Sequence, residues 1–256
     1  MFMLTKWYLD CVDDSGRAVV LYWASLRWGL LRLQYGGVLA GHLPGAGRTR
    51  YTLRPGDGPV SGEDRLTWRC DRLDVAGTWI RREPPVVRTL LERPDGVIRW
   101  SCFSPRADAE VRVGDVSVRG CGYGEGLTMT LPPWRIPFRR LRWGRFHGSE
   151  HSLVWIDLQG GCSQTLVFAD GIERPDAEVS AEAVTLAAEG STLVLDRGVT
   201  LRSGRLLRTG LRPLRLLVSL VPRWRDAHES KWLTRAVLAG PRGRSEGWAV
   251  HEEVTW

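Results

Sequence analysis

Two stretches of the chain place acids beside aromatic residues at spacings that suit proton chemistry. In "SLVWIDLQ" a two-residue alternation puts Leu153, Trp155 and Asp157 on one face of a strand. In "GYGEGL" the same alternation groups Tyr123, Glu125 and Leu127, and near the start it groups Tyr8, Asp10 and Val12. A carboxyl group desolvated among apolar neighbours has a raised pKa and can hold a proton near neutral pH. Tryptophan faces beside it can stabilise a developing carbocation by cation–π attraction. Asp157 and Glu125 are therefore the candidate proton donors. The competing reading is structural. An aspartate near a strand end bonds turn backbone, and Glu125 can pair with a buried arginine such as Arg142 or Arg145. Glu252 and Glu253 in "HEEVTW" raise the same choice.

"LRWGRFHG" adds Trp143, Arg145 and His147 on one face. A histidine there can act as acid or base near neutral pH, or simply be hydrogen-bonded scaffold. With Tyr123, Trp134 and Trp155 these residues make up the candidate binding wall. His147 and His151 have a helical spacing, but glycine and serine between them favour a turn, so no metal site is expected. There is no nucleophile elbow, phosphate-binding loop or dinucleotide fingerprint, which argues against serine-hydrolase, ATP and NAD chemistry. The chain has thirteen tryptophans. Many must be core, and a surplus can line an apolar pocket for a flat or polyene-like ligand.

These residues need strands to position them. Short apolar runs punctuated by turn residues recur along the chain: "WYLDCV" and "RAVVLYWA" around the turn "DDSG", then "TWIRR", "EVRVGDVSVRG", "TLVFADG", "LRLLVSLV" and "WAVHEEVTW". Strands at this spacing predict an all-β sandwich or barrel. A helix is plausible only in short stretches, such as Asp176–Glu189. The 256 residues suffice for two β domains. A weak repeat supports that: Tyr8-Leu9-Asp10 against Trp155-Ile156-Asp157, and Gly122–Glu125 against Gly247–Glu252, each of the latter resembling a closing strand. The expected domains are residues 1–126 and 127–256, with "LPPWRIP" as the seam and "RWGRFHGSEHSLVWID" as one wall of the second.

The net charge of +7 is carried by arginines spread along the whole chain, with Lys6 and Lys231 the only lysines. No nucleic-acid-binding motif accompanies them, so no nucleic-acid partner is expected. No apolar run reaches the length of a membrane helix, so no integral membrane segment is expected. The start of the chain lacks a leader pattern, and the five cysteines are scattered and odd in number. A cytoplasmic protein is expected.

The stretch from Trp100 to Asp157, with "GCGYGEG", "PPWRIPFRRLRWGRFH" and "SLVWID", resembles the carotenoid 1,2-hydratase-like superfamily, which includes hydroxyneurosporene synthase-like and attachment-protein-like members. The resemblance implies two consecutive lipocalin-like β-barrel domains with a pocket for a lipophilic small molecule. It also implies addition of water to, isomerisation or cyclisation of an unsaturated terpenoid- or lipid-like substrate, with no cofactor. Trp155 and Asp157 match the family's Tyr-x-Asp with Trp in place of Tyr. The histidine-containing element that follows the Gly-Tyr pair in the hydratases has no counterpart, since the chain reads "GEGLTMTLPPW" after Tyr123. The alternative is a non-catalytic protein that holds a lipophilic ligand, and a third possibility is a filled second barrel that serves in association.

Overall fold

A computed structural model describes residues 1–41, 49–205, 226–241 and 243–256. It divides into two compact units, Met1–Pro133 and Trp134–Trp256. The strand expected at "LRLLVSLV" lies outside the described residues.

Unit 1 comprises β1 (Phe2–Val12), β2 (Ala18–Trp28), β3 (Leu31–Gly41), β4 (Arg50–Thr52), β5 (Val60–Ser61), β6 (Arg65–Cys70), β7 (Val75–Arg81), β8 (Val86–Arg93), β9 (Gly96–Val113) and β10 (Val116–Met129). Unit 2 comprises β11 (Phe138–Gly148), β12 (Ser152–Gly160), β13 (Gln164–Ala169), β14 (Ile172–Glu173), β15 (Ala177–Val179), β16 (Ala183–Leu186), β17 (Ser191–Val194), β18 (Val199–Arg205), β19 (His228–Gly240) and β20 (Gly243–Thr255). Each unit is a curled antiparallel sheet. The orders β4-β3-β2-β1-β10-β9-β7-β6-β5 and β14-β13-β12-β11-β20-β19-β17-β16-β15 match strand for strand, with β8 and β18 added on β9 and β19. In both units the first long strand pairs with the last. The protein is therefore all-β, with two consecutive lipocalin-like domains.

The correspondence corrects part of the repeat. β1 matches β11, so Tyr8 corresponds to Trp143 rather than to Trp155, which lies one strand later. The second echo holds: β10 and β20 are the closing strands, with Glu125 opposite Tyr8 and Glu252 opposite Trp143. Asp176–Glu189 is not a helix. It forms β15, β16 and one 3-10 turn (Ala187–Glu189), because sheet pairing overrides the helix preference of its alanines and glutamates.

The turns behave as their residues dictate. Asp13 Oδ1 accepts the Ser15 and Arg17 backbone N–H groups at 3.0 and 2.9 Å, which closes the β1–β2 hairpin. One face of each sheet packs into a hydrophobic interior. In unit 1 this holds Leu9, Leu21, Trp23, Trp68 and Trp79, and in unit 2 Phe146, Leu153, Trp155, Val167 and Leu238. Trp155 lies over Gly144 so closely that a Cβ there would overlap the indole. Gly144→Ala is expected to destabilise the protein by about 1–3 kcal/mol through overpacking, measurable as a lowered urea midpoint at unchanged m-value. Among the described residues, no helix is long and apolar enough to cross a membrane.

Candidate active site

The sheet face opposite the unit 1 interior carries a different chemistry. β1 presents Tyr8 and Asp10, and β10 presents Tyr123 and Glu125. Tyr8 stands opposite Glu125, and Asp10 stands opposite Tyr123. The four side chains form a two-by-two lattice in which tyrosine and carboxylate alternate. Within each strand the tyrosine hydroxyl donates to the carboxylate two residues on: Tyr8 to Asp10 Oδ2 at 3.2 Å, and Tyr123 to Glu125 Oε2 at 2.6 Å. Strand geometry puts the two acids on a diagonal of about 7–8 Å. Tyr22, opposite Tyr8, meets that ring edge-on at 5.5 Å, and Tyr123 meets it at 6.0 Å. Tyr35 lies on the same face, one strand further out. Four of the chain's five tyrosines thus share one buried face.

β9 completes the cluster. Its register with β10 slips twice beside Gly124, around Ser104-Pro105-Arg106, so β9 carries extra residues where Tyr123 sits. A bulge of this kind re-aims side chains, and Pro105 is tolerated there. Beyond it, Trp100 Nε1–H donates to Glu125 Oε2 at 2.5 Å, and Cys102 lies opposite Glu125. Asp10 is anchored from the other side, where Trp79 Nε1–H donates to its backbone carbonyl at 2.7 Å.

Asp10 and Tyr123 are fully buried. Burial, reinforced by Cys102 and Glu125, holds the Tyr123 phenol well above its ordinary pKa, so it remains an O–H donor. Burial likewise holds the Cys102 thiol well above its ordinary value; the Tyr123 hydrogen bond opposes this, and the charges of Glu125 and Glu83 add to it. Cys102 is thus a thiol rather than a nucleophilic thiolate. Both donors to Glu125 converge on Oε2. That arrangement fixes the orientation of the Glu125 carboxyl group.

The expected second-barrel wall divides between two faces. Trp143, Arg145 and His147 do share a face, as do Leu153, Trp155 and Asp157, but the two faces are opposite. β11 pairs with β12 so that Gly144, not Trp143 or Arg145, stands opposite Trp155. Asp157 accepts hydrogen bonds from Gln159 Nε2 and Thr165 Oγ1, both at 2.9 Å, and lies 3.5 Å from Arg142 Nη1. Arg142 also donates to Glu253 at 2.9 Å. These contacts tie Asp157 to its neighbours on β11, β12 and β13. Trp134 is in the 3-10 turn Pro133–Arg135 and is 39% exposed. Arg145 is fully buried and donates to the Trp248 carbonyl at 3.0 Å, and His147 is buried on the same face.

Unit 2 keeps the glutamate and changes its surroundings. At the places of Tyr8, Asp10, Tyr123, Glu125 and Cys102 stand Trp143, Arg145, Val250, Glu252 and Lys231. Lys231 is fully buried, is ion-paired with Glu252, and lies 4.9 Å from the centre of the Trp143 ring. On the opposite face, His251 stacks on Trp232 at 5.1 Å, and its Nε2–H donates to the Asp196 carbonyl at 3.2 Å. Burial lowers its pKa from 6.5 to about 4; the Asp196 bond opposes this, and the Lys231 charge adds to it. Above pH 6.5 this histidine is neutral folded and unfolded. Between pH 6.5 and about 4 only the unfolded chain takes up the proton, so stability falls as pH falls. The total is about 3 kcal/mol at ~1.4 kcal/mol per pKa unit. Denaturant titrations of the wild type and of His251→Gln across that range are expected to show the slope lost in the variant.

An open cleft of about 860 Å³ in unit 1 is lined by Arg54, Asp57, Arg69, Arg72, Glu110 and Arg112 among others. It contains none of the candidate site residues.

No protein-family model and no curated protein matches the sequence. Solved structures do. Kievitone hydratase from Nectria haematococca superposes with TM-score 0.56 at 10% identity, covering 98% of this chain and 88% of that one. A protein assigned as an AttH from Nitrosomonas europaea gives 0.56 at 10% identity, covering 99% and 92%. CghA gives 0.57 at 12% identity, covering 99% and 88%. This is the tandem lipocalin-like fold. The superposition spans both units, so the resemblance carried by the sequence between Trp100 and Asp157 extends, as fold, to the whole tandem lipocalin-like chain. In it the tyrosine–carboxylate lattice belongs to the first domain and the Lys231–Glu252 pair to the second.

Proposed function

We propose that the protein transfers a proton to an unsaturated, lipophilic small molecule of terpenoid- or lipid-like character, and so hydrates, isomerises or cyclises it. The observation that carries this reading is Glu125, with Tyr123 and Trp100 both donating to one carboxyl oxygen on a buried aromatic face. Glu125 is the proton donor. Tyr123 orients it, and the Trp100 and Tyr8 rings are the aromatic faces nearest the charge that protonation of an alkene creates. Asp10 lies within about 7–8 Å of Glu125 and takes the complementary role of base, drawing a proton from water or from the cation. Protonation of the alkene followed by capture by water, loss of a proton or ring closure involves no net oxidation or reduction and asks for no redox group. A shared fold with a hydratase gives the reading a precedent.

In this reading Asp157 anchors the end of β12 and is not a donor, and Trp143 and Trp155 do not flank one cation, since they face opposite ways. A cytoplasmic setting accords with five cysteines, none in a disulfide.

The test is to extract the lipids that co-purify with the protein from its own host and return them to it in deuterium oxide. Deuterium fixed on product carbon by the wild type, and not by Glu125→Gln, supports the proposal. A compound that quenches tryptophan fluorescence yet never exchanges or turns over would instead make the protein a carrier of that ligand. Equal exchange by the Gln variant removes Glu125 from the reaction.

A further inference from the structure

The β2–β3 hairpin ends in Arg27-Trp28-Gly29-Leu30-Leu31-Arg32. Trp28 and Leu31 form its last cross-strand pair, which leaves a two-residue turn. Gly29 takes φ +57° at the first turn position, where a type II′ turn requires a glycine-like conformation. Its N–H donates to the Met1 carbonyl at 3.3 Å. The turn therefore projects Leu30 away from the sheet. Leu30 is fully exposed and Trp28 is 50% exposed.

The charges at this tip are also unusual. Arg27 and Arg32 stand directly opposite one another across the hairpin. Like charges in that relation are destabilising. Arg27 rests its guanidinium on Met3 Sδ at 2.9 Å, and among the described residues neither arginine has a carboxylate partner. An uncompensated cationic pair thus sits beside an exposed tryptophan and leucine.

We propose that this hairpin tip is a docking finger for a membrane surface rich in anionic lipid. Tryptophan favours the headgroup boundary, leucine favours the acyl region, and arginines near the surface are drawn to anionic headgroups. A lipid surface neutralises both arginines at once. A second copy of the chain would bring the same two charges to the contact, and two exposed apolar side chains on a narrow turn fall well short of a stable protein interface. The contact is peripheral. The inference stands apart from Glu125 and from any reaction.

The test is co-sedimentation of the full chain with vesicles of phosphatidylcholine alone and of phosphatidylcholine mixed with phosphatidylglycerol. Binding is expected only to the anionic vesicles and is expected to weaken as salt rises. Trp28→Ser/Leu30→Ser and Arg27→Gln/Arg32→Gln are each expected to weaken it by roughly tenfold or more. These side chains are exposed, so circular dichroism should be unchanged. Brominated phosphatidylcholine in the anionic vesicles should quench part of the tryptophan emission in the wild type, and not in Trp28→Phe, which still sediments. Absence of anionic-vesicle binding, or equal binding by all variants, overturns the proposal. So does a dimer, seen by light scattering, that the Trp28/Leu30 variant dissolves without any vesicle binding by the wild type, since the tip would then join copies of the chain.

Discussion

Glu125→Gln is expected to lower turnover by roughly 10²–10⁴-fold, the range that a positioned general acid supplies. The substitution keeps the size of the side chain and an acceptor oxygen for Tyr123 and Trp100, so the fold and ligand affinity should be nearly unchanged. What it removes is the transferable proton. Single-turnover rates with the co-purified ligand, set beside its affinity from fluorescence quenching, separate the two effects. A fall in rate at constant affinity identifies chemistry, whereas equal falls in both identify a binding contact. Asp157→Asn is the informative contrast. It weakens the charge-assisted bonds from Arg142, Gln159 and Thr165, so it should cost stability and leave the rate intact.

Lys231→Met is expected to destabilise the protein by about 3–5 kcal/mol, because it strips the ammonium from a partly buried carboxylate. Lys231 is fully buried, pairs with Glu252 and lies over Trp143. Loss of a buried partner costs more than the pair itself contributes, since the remaining charge keeps its desolvation penalty. The double variant Lys231→Met/Glu252→Gln should therefore recover most of the loss. Urea denaturation of the two single variants and the double variant checks this through the coupling energy. If the double variant is as unstable as the sum of the singles, the pair is not coupled in the way its geometry implies.

Much of the fold is legible in the sequence because alternation within a strand is a local property. "SLVWIDLQ" and "LRWGRFHG" each divide their residues between faces as expected, and "DDSG" closes the first hairpin. The relation between strands is not local. The Gly148–His151 connection sets a register in which Gly144, not Trp143, meets Trp155, so the wall anticipated around Asp157 separates into two. The tyrosine lattice is hidden for the same reason: Tyr8, Tyr22, Tyr35 and Tyr123 come from four strands and meet only through pairing of the first strand with the last. The Tyr123–Glu125 contact was within reach, since residues two apart on a strand share a face. Alternation alone offers no sign of the β9 bulge; Pro105 inside an otherwise strand-like run is the one local hint. In the stretch holding β15 and β16, alanine and glutamate point to helix, and sheet neighbours decide otherwise.

The pairing of β1 with β10 also sets a clock for synthesis. β1 leaves the ribosome well before β10, and the strand that covers one of its edges ends at Met129. At about 5–20 residues per second, that edge waits on the order of 6–25 s for its partner. Throughout this interval the β1–β2–β3 meander is an open sheet whose β1 edge can pair with a neighbouring nascent chain. The second domain repeats the wait between β11 and β20. Production of this protein should then be limited by how well that edge is sheltered during translation, and slower initiation or chaperone supply should raise soluble yield more than any change to the finished fold.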